Sequence, residues 1–140
     1  MRAGGAGAPL LKVAAAAVVE RGRLLVVSKQ AAPGVFYLPG GKPEPGESAR
    51  QAVVRELREE LGVVPVGLRL LGSVDELAAI ERVPMRMTVF TAELDTVPHP
   101  AAELAALGWT TGDDEYAPLL AAAVSRHVIP LLRGTGRLPG

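Results

Sequence analysis

Between Gly41 and Val63 the chain reads as a loop that feeds a helix, and this stretch constrains the fold more than any other. Lys42–Glu47 holds two prolines and a glycine, so it is read as a loop. Ser48 is a good N-cap, and Gln51 three residues later completes a capping-box pattern. The spacing predicts a helix from about Ala49 to Leu61, ended by Gly62. Ala49, Val53 and Leu57 recur every fourth residue with Ala52 beside them, an apolar stripe that must pack. Glu56, Glu59 and Glu60 fall within about 100° on a neighbouring face. Glutamates at this spacing are ordinarily a solvated helix face. Like charges so close repel, however, and a hard divalent cation with oxygen ligands relieves them. Mg²⁺ suits such a site because it combines a few carboxylates with substrate phosphates.

The same stretch carries a longer pattern. Gly41, Glu47, Arg55, Glu56, Leu57, Glu59, Glu60, Gly62 and Val63 stand as G-x5-E-x7-R-E-U-x-E-E-x-G-U, with U aliphatic. Every fixed position of the Nudix hydrolase signature is filled, and the segment resembles that family. Leu38-Pro39-Gly40-Gly41-Lys42 before it agrees more loosely, as does Glu103 six residues ahead of Trp109.

The resemblance implies an α/β (α+β) chain with the Nudix fold, an α/β/α sandwich around a mixed β-sheet. It implies attack of water on a diphosphate linked to a nucleoside, with Mg²⁺ as cofactor and Mn²⁺ able to substitute. Glu56, Glu59 and Glu60 would hold the metal, with the Gly40 carbonyl as a further oxygen. Arg55 would orient a carboxylate, and Glu47 would brace the loop or join the metal shell. Glu59, Glu103, Arg55 and Glu47 are therefore the catalytic candidates. The general base is either a glutamate of the signature or Glu103 outside it. Lys42 is a candidate phosphate contact, and Phe36, Tyr37 and Phe90 are candidates to stack on a base, although aromatics near strands mostly pack in cores. His99 and His127 are isolated and read as non-catalytic, and Trp109 as core.

The rest of the chain reads as strands and one late helix. Val13–Glu20 and Arg23–Ser28 flank the Arg21-Gly22 turn signal and suggest a hairpin. Ala14–Ala17 has helical propensity that competes with this. Ala31–Val35 reads as a loop through Pro33-Gly34, and Phe36–Leu38 as a short extended piece. Val66–Val74, Met85–Leu94 and Leu107–Thr110 read as strands, and Asp95–Ala101 as a loop. Ala117–Arg133 reads as helical, with Pro130 interrupting it near its end. Residues 1–10 form an expected N-terminal tail and residues 11–140 a single domain.

Composition narrows the partners. The 140 residues carry no net charge, and Lys and Arg are scattered, so no basic surface for nucleic acid or an anionic membrane is expected. The longest apolar run, Val13–Val19, is too short to span a bilayer. With no cysteine, thiolate metal sites and disulfides are excluded, in keeping with a cytoplasmic location, and no secretory leader is expected. The expected partner is a small nucleotide-type substrate, and the resemblance leaves a homodimer open.

Substrate signals are thin. The downstream proline associated with ADP-ribose pyrophosphatases is absent from Leu77–Ile80, as are the tyrosine of dinucleoside polyphosphate hydrolases and the extra motif of NADH pyrophosphatases. What remains resembles the small MutT-like group acting on nucleoside triphosphates, oxidised ones included. The alternatives are an ADP-ribose or nucleotide-sugar pyrophosphatase and, from another class, a non-catalytic nucleotide-binding regulator.

Overall fold

The structure is a computed structural model, and residues 10–140 are described. The tail expected at residues 1–10 lies almost wholly outside them. Seven strands form one mixed sheet: β1 (Leu11–Glu20), β2 (Arg23–Lys29), β3 (Ala32–Tyr37), β4 (Gly40–Gly41), β5 (Pro65–Leu77), β6 (Pro84–Leu94) and β7 (Leu104–Thr110). The main order is β3-β2-β1-β6-β5, with β4 paired to β1 and β7 to β2. The long helix α1 spans Ala49–Leu61.

The apolar run of β1 is a strand rather than a helix because both its faces are covered. Ala14, Ala16 and Val18 pack with Ala52, Val53, Leu57 and Leu61 of α1. Ala15 and Ala17 face the other way, onto Val124, Val128 and Leu132 near the C-terminus. Two-sided burial is what turns an alternating strand into a continuous apolar one. Parallel pairing of β1 with β6, from Leu11↔Met85 to Val18↔Ala92, overrides the helical propensity of alanine. Leu57 and Leu61 are essentially inaccessible, and each such side chain stabilises the fold by roughly 1.5–3 kcal/mol.

Two sequence expectations are corrected. Ala31–Val35 is not simply a loop: β3 begins at Ala32 and carries Pro33-Gly34 within it. Pro33 is tolerated because β3 is an edge strand, where a missing N–H costs no ladder bond. Ala117–Arg133 is not one helix. It consists of a short turn at Ala117–Leu119, a π-helical segment at Ala123–Val128 and the helix α2 at Ile129–Gly134. Leu120 is extended (ψ 135°), and the N–H of Ala121 donates to the Phe36 carbonyl at 2.8 Å. That backbone is spent on β3 and cannot continue a helix. Pro130 sits in the first turn of α2, where its missing N–H does least harm.

Strand β5 extends to Leu77, beyond the expected end at Val74. Its register shifts between Val66 and Arg69 and between Leu70 and Gly72. Gly67 and Gly72 take positive φ there (65° and 158°), as bulges often require. Among the described residues no helix is long and apolar enough to cross a membrane.

Candidate active site

Helix α1 is fixed at both ends. Ser48 Oγ accepts from the Gln51 N–H at 3.1 Å, and Gln51 Oε1 accepts from the Ser48 N–H at 2.8 Å. Gly62 adopts the left-handed conformation (φ 67°) and its N–H donates to the Arg58 carbonyl. The following loop seals the last turn: the His99 N–H donates to the Leu61 carbonyl and the Ala101 N–H to the Glu60 carbonyl, at 3.1 and 2.8 Å. This loop leads to Glu103, whose carbonyl accepts from the Gln30 N–H at 2.9 Å. The contacts that close α1 therefore also bring Glu103 beside it.

The three helix glutamates occupy different environments. Glu60 is 2 % exposed and its Oε1 accepts from the Gly40 N–H at 3.2 Å. Burial, and then the charge of Glu56, push its carboxyl up to about 7. Glu56 is less buried and is pushed up in the same direction, chiefly by burial, with Arg55 opposing. Glu59 is more than half exposed, and its Oε1 accepts from Arg55 Nη1 at 3.2 Å.

Arg55 organises the approach to them. Its Nε and Nη2 donate to the two oxygens of Glu47 at 2.8 and 2.9 Å, and Nη2 also donates to the Lys42 carbonyl at 3.2 Å. The Glu44 N–H donates to Glu47 Oε1 at 2.9 Å. These bonds hold the Glu47 carboxyl down at about 2, with Arg55 the larger cause. The glycines are needed for contact distance. A Cβ on Gly41 would collide with Glu56 Oε2, and one on Gly40 with the Ala14 carbonyl. Register Ala14↔Gly41 and Ala15↔Gly40 on β1 sets that closeness.

A cavity of about 430 Å³ opens over this group. Its polar end is lined by Glu56, Arg55, Lys42, Glu44, Glu103 and Lys29, and its aliphatic end by Leu11, Val13, Met85, Met87 and Val124. Tyr37 stands on its wall, with Lys29 Nζ 5.9 Å from the ring centre. Burial, and then the charge of Glu60, push the Tyr37 phenol up. Lys29 Nζ lies 3.6 Å from the carboxylate of Glu103, which is two-thirds exposed.

The other two aromatic candidates do not line the cavity. Phe36 is 8 % exposed and packs edge-on against Tyr116, with centroids 5.1 Å apart. Phe90 belongs to the core on the α1 side of the sheet, with the Arg50 guanidinium 5.4 Å from its ring centre. Sequence reading passed over Lys29, which no motif marks. Its place follows from the β2–β7 pairing Lys29↔Leu104, which sets it beside Glu103.

The donors fit a hard divalent cation: Glu56, Glu59, Glu60 and the backbone near Gly40 offer oxygen only. Glu60 is a buried carboxylate with no ion-pair partner among the described residues, an arrangement that ordinarily requires compensating charge. Its neighbours are not already gathered into a ligand cluster, since no group of three acidic or imidazole side chains at metal-binding distance occurs among the described residues. Glu59 instead rests on Arg55.

Comparison with known proteins agrees with this geometry. The family model for the NUDIX domain matches residues 10–132. The chain belongs to the Nudix family. This Nudix protein resembles a MutT NUDIX hydrolase from Burkholderia pseudomallei in structure, with a TM-score of 0.76 and 32 % identity, covering 89 % of this chain and 98 % of that one. It is 46 % identical over 57 residues to the CTP pyrophosphohydrolase of Escherichia coli K12, covering 39 % of this chain and 42 % of the relative. It is 41 % identical over 63 residues to an ADP-ribose pyrophosphatase of Methanocaldococcus jannaschii, covering 43 % and 37 % respectively. The matched segment thus spans about two-fifths of each of these two relatives.

Proposed function

We propose that this Nudix protein is a divalent-cation-dependent hydrolase of nucleoside diphosphate-linked substrates, and that its substrate is a nucleoside triphosphate, as in MutT-like enzymes. The observation that carries the reading is Glu56 and Gly40 on the polar wall of a cavity whose other end is aliphatic, with the buried Glu60 carboxylate holding the Gly40 N–H. Such a cavity suits a ligand with an anionic end and an apolar, planar end. The MutT hydrolase and CTP pyrophosphohydrolase likenesses favour a triphosphate.

Glu56, Glu59 and Glu60, with the Gly40 carbonyl, would hold Mg²⁺ or Mn²⁺. When bound, the cation offsets phosphate charge and lowers the pKa of attacking water. Arg55 keeps the loop of Glu47 and Lys42 against the helix, so that the loop amides and the carboxylates stay in one place as substrate enters. Lys42 and Lys29 line the same end and offer ammonium groups to phosphate oxygens. Glu103 lines the cavity as an exposed carboxylate beside Lys29, and in this reading it would accept a proton from water. Positioning and electrostatics of this kind supply most of the acceleration in phosphoryl chemistry.

The ADP-ribose pyrophosphatase relative supports the second reading, a nucleotide-sugar or ADP-ribose substrate. A Mg²⁺-dependent release assay decides between them, run over nucleoside triphosphates, an oxidised guanine triphosphate, ADP-ribose, sugar nucleotides and dinucleoside polyphosphates. Turnover of triphosphates with release of pyrophosphate is the expected result. Turnover of ADP-ribose alone would replace the triphosphate reading. Nucleotide binding without turnover of any of them would make the protein a non-catalytic regulator.

A further inference from the structure

Two segments far apart in the chain build the aliphatic end of the cavity. Leu77 and Ile80 reach it from the end of β5 and the loop that follows, and Ala121, Ala123 and Val124 reach it from the start of the C-terminal segment. The second segment is tied by its backbone to β3, through the Phe36 carbonyl and Ala121. Among the described residues no backbone hydrogen bond ties it to β5.

Side chains make that link instead. Glu76, the residue before Leu77, has a side chain only 16 % exposed, and its Oε1 lies 3.2 Å from His127 Nε2 in the π-helical segment. Its Oε2 accepts from the Leu77 N–H at 3.0 Å. The Leu77 N–H, and then His127, hold the Glu76 carboxyl below the usual carboxylate range. An ionised carboxylate only accepts, so the imidazole carries the proton of this bond and Nε2 donates it. Arg126 Nη1 stands 3.9 Å from the same oxygen but is largely exposed, and such contacts contribute little. The neighbouring carboxylate, Asp75, is engaged by Arg86 at 2.8 and 3.2 Å, so the link rests on Glu76.

The strand is weak where this link is made. Leu77 pairs with Pro84, which has no N–H to give. Beyond that pair the connection to β6 is held by two backbone bonds of 2.9 Å, from the Ala78 N–H to the Val83 carbonyl and from the Arg82 N–H to the Ala78 carbonyl.

We propose that Glu76 and His127 are positioning residues, and that their hydrogen bond holds the end of β5 against the π-helical segment and so fixes the width of the cavity's aliphatic end. Neither side chain lines the cavity; they act through Leu77 and Val124, which do. The consequence for catalysis rests on the nucleotide-hydrolase reading above. The carboxylates of α1 lie at the other end, so loss of the bond should weaken substrate binding and spare the chemical step.

The test compares His127→Ala, Glu76→Ala and the double variant with the wild type. Backbone amide exchange is followed by mass spectrometry over residues 77–83 and over α1, and KM and kcat are measured with the triphosphate that the wild type turns over fastest. In His127→Ala, exchange over residues 77–83 should quicken by at least ~5-fold while α1 keeps its protection, because a hydrogen bond to a charged group is lost locally. KM should rise by at least ~3-fold, with kcat within about 2-fold of the wild type. Adding His127→Ala to Glu76→Ala should change neither quantity further, since the two act through one bond. Unchanged exchange over residues 77–83 overturns the proposal, as does equal quickening in α1, which would mark general destabilisation. A fall in kcat at constant KM overturns it too, and so do effects that add in the double variant. If the wild type turns over no nucleotide, the hydrolase reading fails, and the exchange measurement alone decides whether the bond holds the two segments together.

Discussion

Arg55 holds Glu47 through two hydrogen bonds of 2.8 and 2.9 Å, across a loop–helix junction eight residues long. The same guanidinium reaches the Lys42 carbonyl and Glu59. One side chain thus ties the glycine-rich loop to the helix that carries the carboxylates. Arg55→Lys keeps the charge but loses the planar two-point grip. It is expected to lower kcat/KM by at least ~10-fold, with circular dichroism unchanged. Wild-type kcat/KM in this variant would remove Arg55 from the site's organisation.

Glu59 is exposed and contributes little to packing, so its loss separates chemistry from folding. Glu59→Gln removes one charge from the proposed cation site and should lower kcat by at least ~10²-fold. Tm should move by less than about 2 °C, as for an ordinary surface change. Near-normal kcat at saturating Mg²⁺ would contradict a metal role for Glu59.

Glu103→Gln tests the proton acceptor. The variant should show a lower kcat with Mg²⁺ affinity unchanged and the acidic limb of the pH–rate profile lost. An intact limb would move the base to a carboxylate of α1.

Glu60 makes metal-free stability depend on pH. Its folded carboxyl lies at about 7, above its ordinary value of 4.5. Below 4.5 both states are protonated and the group costs nothing. Between 4.5 and 7 the unfolded chain ionises first, so stability falls as pH rises, and above 7 the loss is complete. In EDTA, Tm should be higher at pH 5.5 than at pH 8 by roughly 4 °C or more. Glu60→Gln should flatten most of this slope, leaving the smaller part that Glu56 contributes in the same direction. Glu47, held at about 2, acts oppositely, its stabilisation being lost only as pH falls below 4.5. A Tm that rises from pH 5.5 to 8 would contradict the burial of Glu60.

Gly41→Ala tests the close approach of loop and helix. The added Cβ collides with Glu56 Oε2, so Glu56 or the loop must move. Activity should fall by at least ~10-fold while the sheet and α1 persist, since a displacement of about 1 Å is enough to cost such factors. Unchanged kcat and Mg²⁺ dependence would show that the position tolerates the methyl group.

Helix α1 was legible in the sequence because its determinants are local. Ser48 and Gln51 cap it, Gly62 ends it, and Val53 and Leu57 repeat at its own period. Strands β1, β2 and β6 were legible for the same reason, and the nine fixed positions of the signature between Gly41 and Val63 pointed to the family that the NUDIX match establishes. Determinants that lie far apart in the chain were not legible. Ala117–Arg133 has helical composition, yet Leu120 and Ala121 pair with Phe36, a bond that no local pattern encodes.

The sequence by itself thus determined α1, its caps and which carboxylates share a face, since helical period and capping chemistry act over a few residues. Only the tertiary structure decided which of those carboxylates is buried. Glu56, Glu59 and Glu60 look equivalent on a helical wheel, but the Gly40 loop and the sheet cover Glu60 and leave Glu59 in solvent. It also decided that Phe36 and Phe90 sit in cores on opposite faces of the sheet, and that Lys29 and Glu81 line the cavity. Burial, and the company a side chain keeps, depend on strand order and register, which are set by contacts between distant segments rather than by neighbours in the chain.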